Sequence, residues 1–187
     1  DDPLGPGVER VHLVGIGGAG MEGLARLLDA MGYRVTGSDV SEGPVIEDLR
    51  RSGIAVFHGH DAAHIRAADL LIHSAAILES NPERQAASRT GIRQFQRAAA
   101  LGLLSRGYDT VAVAGTHGKT TTASLIAAAL HGARRQPTIA VGGWVNGQTQ
   151  SAAGAGNLMV VEADEYDRIF LELEPWLAVV TNIEMEH

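Results

Sequence analysis

The chain has 187 residues, 45% of them hydrophobic, and a formal charge of −7, which is apolar material enough for a core shared by one large or two small domains. No apolar run reaches the length of a membrane span, and the acidic balance argues against a sequence-independent nucleic-acid surface, where clustered Lys and Arg are expected. Cys is absent, which excludes a disulfide framework and a thiolate zinc site, and the opening DDPLGPGVER lacks the regions of a signal peptide, so a cytoplasmic location is expected.

Residues 1–7 read as a flexible tail. The first strand candidate, Val11–Ile16, runs into GIGGAGM. Gly15, Gly17 and Gly20 fit G-x-G-x-x-G, with Gly18 beside them. The first glycines allow a tight turn and close approach of the backbone to a diphosphate, and the third lets helix and strand pack closely. A helix over Met21–Met31 follows with Leu24, Leu27, Leu28 and Met31 on one face, so an anion would sit at its N-terminus. The second strand, Arg34–Ser38, ends at Asp39, where such folds hold a carboxylate that accepts from ribose hydroxyls. The same glycines also suit a plain strand-to-helix turn, and the motif does not choose between a nicotinamide dinucleotide and a UDP-sugar. Next come a short helix Ile46–Arg51, strands Ala55–His58 and Leu70–His73, a helix Pro82–Thr90 opened by Asn81, and an Ala- and Leu-rich helix Gln96–Arg106. Gly102–Asp109 is the expected domain junction, because a new strand-turn-helix unit begins just after it.

In that unit the strand Thr110–Ala114 turns through Gly115, Thr116, His117, Gly118, Lys119, Thr120 and Thr121 into a helix. Gly115–Gly118 can present successive backbone N–H groups to phosphate oxygens, Lys119 adds positive charge at the transferable phosphoryl group, and Thr120 can place its hydroxyl on Mg²⁺. The loop departs from G-x-x-x-x-G-K-[ST], since Val113 holds the first glycine position. A strand Thr138–Val141 precedes a Gly-rich stretch, Gly142–Gly156, expected as an exposed loop. The strand Leu158–Glu162 ends in Glu162, Asp164, Glu165 and Asp167, carboxylates that repel one another unless a cation neutralises them, with Glu162 the first choice of ligand. The last strand, Leu177–Asn182, is followed by Glu184, Glu186 and His187. The alternation of strands and helices predicts an α/β fold with parallel sheets flanked by helices.

The segments HLVGIGGAGM, GSD, SAAILESNPE, AVAGTHGKTTT, VVEADEYD and AVVTNIEMEH, in this order from Arg10 to His187, resemble the Mur ligases. The resemblance implies a Rossmann-like parallel-sheet UDP-binding domain over residues 8–106. Residues 107–187 would then form the N-terminal part of a P-loop-type central ATP-binding domain, with the family's C-terminal domain absent and the 187 residues alone inactive. It implies ATP and Mg²⁺ as cofactors and an amide-forming reaction that joins L-alanine to the carboxylate of UDP-N-acetylmuramate through an acyl phosphate. That reaction belongs to peptidoglycan precursor synthesis, and so to cell shape and division.

Carried over residue by residue, the resemblance puts Gly15, Gly17, Gly18, Gly20, Asp39, His73, Ser74 and Ala75 on the UDP substrate. It puts Gly115, Thr116, His117, Gly118, Lys119, Thr120 and Thr121 on ATP, and Thr120, Glu162 and His187 on metal, with Lys119 and His187 catalytic. Asn81 and Glu83 are expected to start a helix first and to neighbour the substrate second. Two positions depart from the family pattern: Glu186 stands where Asp usually precedes the metal-binding His, and Tyr166 stands where many alanine-adding members have Ser. Tyr at that place also occurs in ligases that recycle murein peptides, the alternative within the family. A nicotinamide-dinucleotide-binding oxidoreductase domain is the alternative outside it. The oligomeric state is left open by the sequence.

Overall fold

β1 (Arg10–Val14), β2 (Arg34–Asp39), β3 (Ala55–His58), β4 (Leu70–His73) and β5 (Arg93–Gln96) form one parallel sheet in the order β3-β2-β1-β4-β5. The period-2 geometry of a strand sends alternate side chains to opposite faces. Val11, Leu13, Leu70 and Ile72 accordingly meet Leu24, Leu27 and Leu28 of α1 (Ala19–Ala30), whereas Val14 and Leu71 meet Ala86 and Ala87 of α3 (Pro82–Thr90). Burial on both faces explains why these strands read as continuous apolar runs. α2 (Pro44–Arg51) starts on a proline and packs Ile46 and Leu49 on the α1 side. α3 is bounded by its local chemistry: the Asn81 side chain accepts from the Glu83 and Arg84 N–H groups, Pro82 opens the first turn, and Gly91 closes the helix at φ 76°. The computed structural model describes residues 2–142, 144–145, 148–149, 151–165 and 168–184.

The second sheet is also parallel, in the order β11-β6-β10-β7, from β6 (Asp109–Ala114), β7 (Thr138–Ala140), β10 (Leu158–Glu162) and β11 (Leu177–Val180). α5 (Lys119–Gly132) packs Ala123 and Ala127 on one face with Val113 and Val160. On the other face Ala112, Met159 and Val161 join the core that holds α1 and α4 (Arg97–Ser105). α1 and α4 therefore lie between the two sheets, with α3 and α5 on the outer faces. α4 approaches the short α6 (Ile169–Glu172) so closely that a Cβ on Gly102 would sit 2.6 Å from the Glu172 carbonyl oxygen.

Two expectations need correction, and a third is narrowed. The first residues are docked: Leu4 is 1% exposed, and Asp2 Oδ1 accepts the Tyr33 hydroxyl at 2.6 Å and the Leu4 N–H at 2.9 Å. Gly142–Gly156 is more than an exposed loop. It carries an antiparallel hairpin, β8 (Trp144–Val145) with β9 (Gln148–Thr149), and Ala152 bridges to Ile139. The stretch Gly102–Asp109 is helical to Ser105, with Gly102, Leu104 and Ser105 buried, which leaves Arg106–Tyr108 as the turn between the sheets.

The docked arm gives a measurable expectation. Leu4→Ala should cost about 2 kcal/mol, the low end for a buried leucine because a surface arm can partly collapse into the gap. A urea midpoint that does not move would show that the arm contributes nothing to the fold.

Candidate functional site

In the first sheet the strand order reverses between β1 and β4, and ligands of open α/β sheets bind in the crevice beyond such strand ends. The glycine loop after β1 stands there, with Gly15 at φ 79°. Its amides are largely used within the protein. Gly15 and Ile16 donate to the Ser38 carbonyl at 2.8 and 3.1 Å, Gly17 donates to Asp39 Oδ2 at 2.8 Å, and Gly18 donates to the Gly15 carbonyl at 3.2 Å. The donors left to an anion are then the first-turn amides of α1, Ala19 and Gly20, which no side chain caps. Asp39 braces the loop, its second oxygen accepting the Ser41 N–H at 2.9 Å. Beyond β4, Ala75 is exposed, and the Ser74 Cβ lies 3.4 Å from where a Gly15 Cβ would stand. His73 is buried, with Nδ1 3.0 Å from the Ser74 carbonyl, and burial lowers its pKa.

Sequence reasoning missed Arg97. Its guanidinium lies against Gly20, so closely that a Cβ there would collide with Nη1, and it pairs with Asp164 at 3.7 Å. A usable signal existed: Arg97 is the first residue of an Ala- and Leu-rich helix, where the helix dipole disfavours a cation that has no other partner.

The phosphate-type loop follows β6. Gly115 (φ 134°) and Gly118 (φ 79°) take backbone conformations that favour glycine, and Lys119 opens α5. Lys119 Nζ donates to the Gly115 and Thr116 carbonyls at 2.7 and 3.1 Å and pairs with Glu165 at 2.9 Å. The Thr116 and His117 amides are turned to Asn182, donating to its carbonyl at 3.1 Å and to Oδ1 at 2.9 Å. The α5 amides of Lys119, Thr120 and Thr121 are thus the first-turn donors facing outward.

Thr120 donates its hydroxyl to Glu162 Oε1 at 2.8 Å, while Glu162 Oε2 is buried with no hydrogen-bond partner. Burial raises the Glu162 pKa and the Thr120 hydroxyl opposes it. A half-satisfied carboxylate beside a hydroxyl is an all-oxygen set that suits Mg²⁺, which takes one or two carboxylates and completes its shell with phosphate and water. Among the described residues no group of three or more His, Cys, Asp or Glu is arranged to hold a metal ion. The expected acidic crowd is instead distributed: Glu162 meets Thr120, Asp164 meets Arg97, and Glu165 meets Lys119. Asp167, Tyr166, Glu186 and His187 lie outside the described residues.

A cleft of about 250 Å³ joins the two regions, with Gly20, Leu24 and Arg97 on one wall and Val141, Gly142, Glu162 and Asp164 on the other. Glu162 also lines a hollow of about 300 Å³ over Thr116–Thr121. One carboxylate therefore faces both the phosphate-type loop and the end of the first glycine loop. No helix among the described residues is long and apolar enough to cross a membrane.

The model of the Mur ligase family, catalytic domain, matches residues 10–109. The chain is 51% identical over 179 residues to the UDP-N-acetylmuramate–L-alanine ligase of a Nocardioides species and 49% identical over 181 residues to that of Methylibium petroleiphilum. These alignments cover 95% and 96% of this chain but 40% and 39% of those proteins. The chain thus spans about two fifths of the length of the curated relatives it matches. Among solved structures it is similar to the UDP-N-acetylmuramate:L-alanyl-gamma-D-glutamyl-meso-diaminopimelate ligase from Neisseria meningitides, with a TM-score of 0.85 and 30% identity over 96% of this chain and 62% of that one. It is also similar to the UDP-N-acetylmuramate-alanine ligase from Thermotoga maritima, with a TM-score of 0.83 and 31% identity over 95% of this chain and 42% of that one.

Proposed function

Because the chain belongs to the Mur ligase family, we propose that it forms the UDP-binding region and part of the ATP-binding region of a cytoplasmic ligase. That enzyme joins L-alanine to UDP-N-acetylmuramate in peptidoglycan precursor synthesis. Residues 8–106 would hold the UDP substrate and residues 107–187 the ATP. The observation that carries the reading is the shared cleft, in which Glu162 faces the phosphate-type loop on one side and the Gly20 and Arg97 end of the first loop on the other. The relatives near 50% identity favour the alanine-adding reaction over murein-peptide recycling, which the structural likeness near 30% does not separate.

The chemistry follows from the leaving group. A carboxylate is a poor acyl donor because its substitution would expel oxide, so the lactyl carboxylate first attacks the γ-phosphorus of ATP and ADP departs. The amine of L-alanine then attacks the carbonyl carbon of the acyl phosphate, phosphate leaves and the nitrogen loses a proton. The protein has mainly to position groups and neutralise charge. Lys119 would carry its ammonium to the transferred phosphoryl group, and the first-turn amides of α5 would hold phosphate oxygens. Thr120 and Glu162 fit Mg²⁺, which when bound would neutralise phosphate charge. A metal role for His187 rests on the family pattern. In the first sheet, Ala19, Gly20 and Arg97 are positioned for an anion, with Asp39 bracing the loop.

Titration calorimetry of this chain tests the reading. UDP-N-acetylmuramate and UDP are expected to bind, with NADH silent. Binding of NADH with no response to either UDP ligand would overturn it and return Gly15–Asp39 to a dinucleotide site.

A further inference from the structure

Glu83 has no part in the chemistry above, yet it is a fully buried carboxylate, 0% exposed, on the face of the first sheet turned away from the cleft. It does more than start α3. Oε2 accepts the Ser38 hydroxyl at 2.6 Å and faces His60 Nδ1 at 3.1 Å, while Oε1 faces His64 Nδ1 at 2.7 Å and His12 Nε2 at 3.6 Å. His12 is held in turn through Nδ1 by the Thr36 hydroxyl at 2.8 Å, and His64 stacks on Phe57 with ring centroids 4.3 Å apart. Burying a carboxylate carries a desolvation cost that a leucine would avoid, so a fully buried Glu83 calls for a use.

The use is visible in what Ser38 holds. Its carbonyl accepts the Gly15 and Ile16 amides, and its neighbour Asp39 accepts the Gly17 amide through Oδ2 and the Gly59 amide through its carbonyl at 2.7 Å. Three successive amides of the glycine loop therefore hang on two residues of β2, and the side chain of the first is fixed by Glu83. We propose that Glu83 is a positioning residue for the UDP substrate, acting through Ser38 and Asp39 to set the glycine loop so that the Ala19 and Gly20 amides and Arg97 meet the diphosphate. The inference rests on the reading that the first loop takes UDP. It places part of the control of that loop on the opposite face of the sheet, in residues dispersed over β1, β2, the 60–64 segment and α3.

The test compares this chain with its Glu83→Gln and Ser38→Ala variants, titrated separately with UDP-N-acetylmuramate and with ATP and Mg²⁺. Both variants are expected to weaken UDP-substrate binding about tenfold, a change of roughly 1.4 kcal/mol, with ATP affinity unchanged. Amide exchange at Ile16 and Gly17 should quicken in both. Ser38→Ala carries the comparison if Glu83→Gln folds poorly, since a hydroxyl is all it removes. Unchanged UDP-substrate affinity in both variants overturns the inference alone, as does an equal fall for both nucleotides, which marks a purely structural role. A wild-type chain that binds ATP and no UDP ligand overturns the functional reading, and this inference with it.

Discussion

Lys119→Met is expected to lower kcat/KM of the proposed ligase by about 10³-fold, roughly 4 kcal/mol of transition-state stabilisation. The substitution keeps most of the stem and removes the charge. In the structure the ammonium is aimed by the Gly115 and Thr116 carbonyls at 2.7 and 3.1 Å, and Glu165 occupies it at 2.9 Å. That arrangement holds a cation over the hollow lined by Thr116–Thr121 before any phosphate arrives. The effect is large because charge developing on the phosphoryl oxygens takes the place of Glu165 on an ammonium that the two carbonyls already aim. The fold should tolerate the change, since the loop is also held by Asn182 and Thr181, the latter donating to the His117 carbonyl at 2.6 Å. The checking measurement is steady-state ADP release beside calorimetry of the UDP substrate. A loss under tenfold, with UDP binding intact, would place the transferred phosphoryl group away from Lys119.

The legible parts of the fold were those that carry their own signal. Ala55–His58, Leu70–His73, Pro82–Thr90 and Leu158–Glu162 stand in the structure with the expected bounds, because apolar runs or an Asn-Pro start and a glycine stop define them locally. β5 was not legible: Arg93–Gln96 has one apolar residue and becomes a strand only by pairing with β4. α6 and the β8–β9 hairpin are likewise too short to show a period. In the site, Thr120 and Glu162, which the resemblance put on one metal, stand within a hydrogen bond of each other, and the two glycine loops were readable from spacing. The partners that take up the loop amides were not, since Ser38, Asp39 and Asn182 reach them only across neighbouring strands. The Glu83 cluster draws on positions 12, 38, 60 and 64, and no sequence window contains it.

That cluster also governs the second large effect, the loss of stability in acid. Burial is the strongest influence on the Glu83 carboxyl and pushes its pKa up, but His12, Ser38 and His64 together outweigh it and bring the value from an ordinary 4.5 down to about 2. A pKa lowered on folding means that the unfolded chain binds the proton first as pH falls. The contribution is therefore complete above pH 4.5 and is lost as pH falls from there through about 2. Its size is about 3 kcal/mol, a large share of the 5–15 kcal/mol that holds a typical domain together. Other carboxylates add to the same trend. Arg10, through its side-chain hydrogen bond above all, holds the Asp69 carboxyl well below the usual range. The decisive quantity is consequently a difference: urea midpoints across the acid range for the wild type and for Glu83→Gln. The wild type should lose stability more steeply between pH 4.5 and 2, and the two curves should converge at the acid end. The opposite slope, with the wild type gaining on the variant as pH falls, would mean that burial prevails and Glu83 is a neutral acid. It would then donate a proton to its neighbours, and the Ser38 hydroxyl would have to turn away from Oε2 or accept from it.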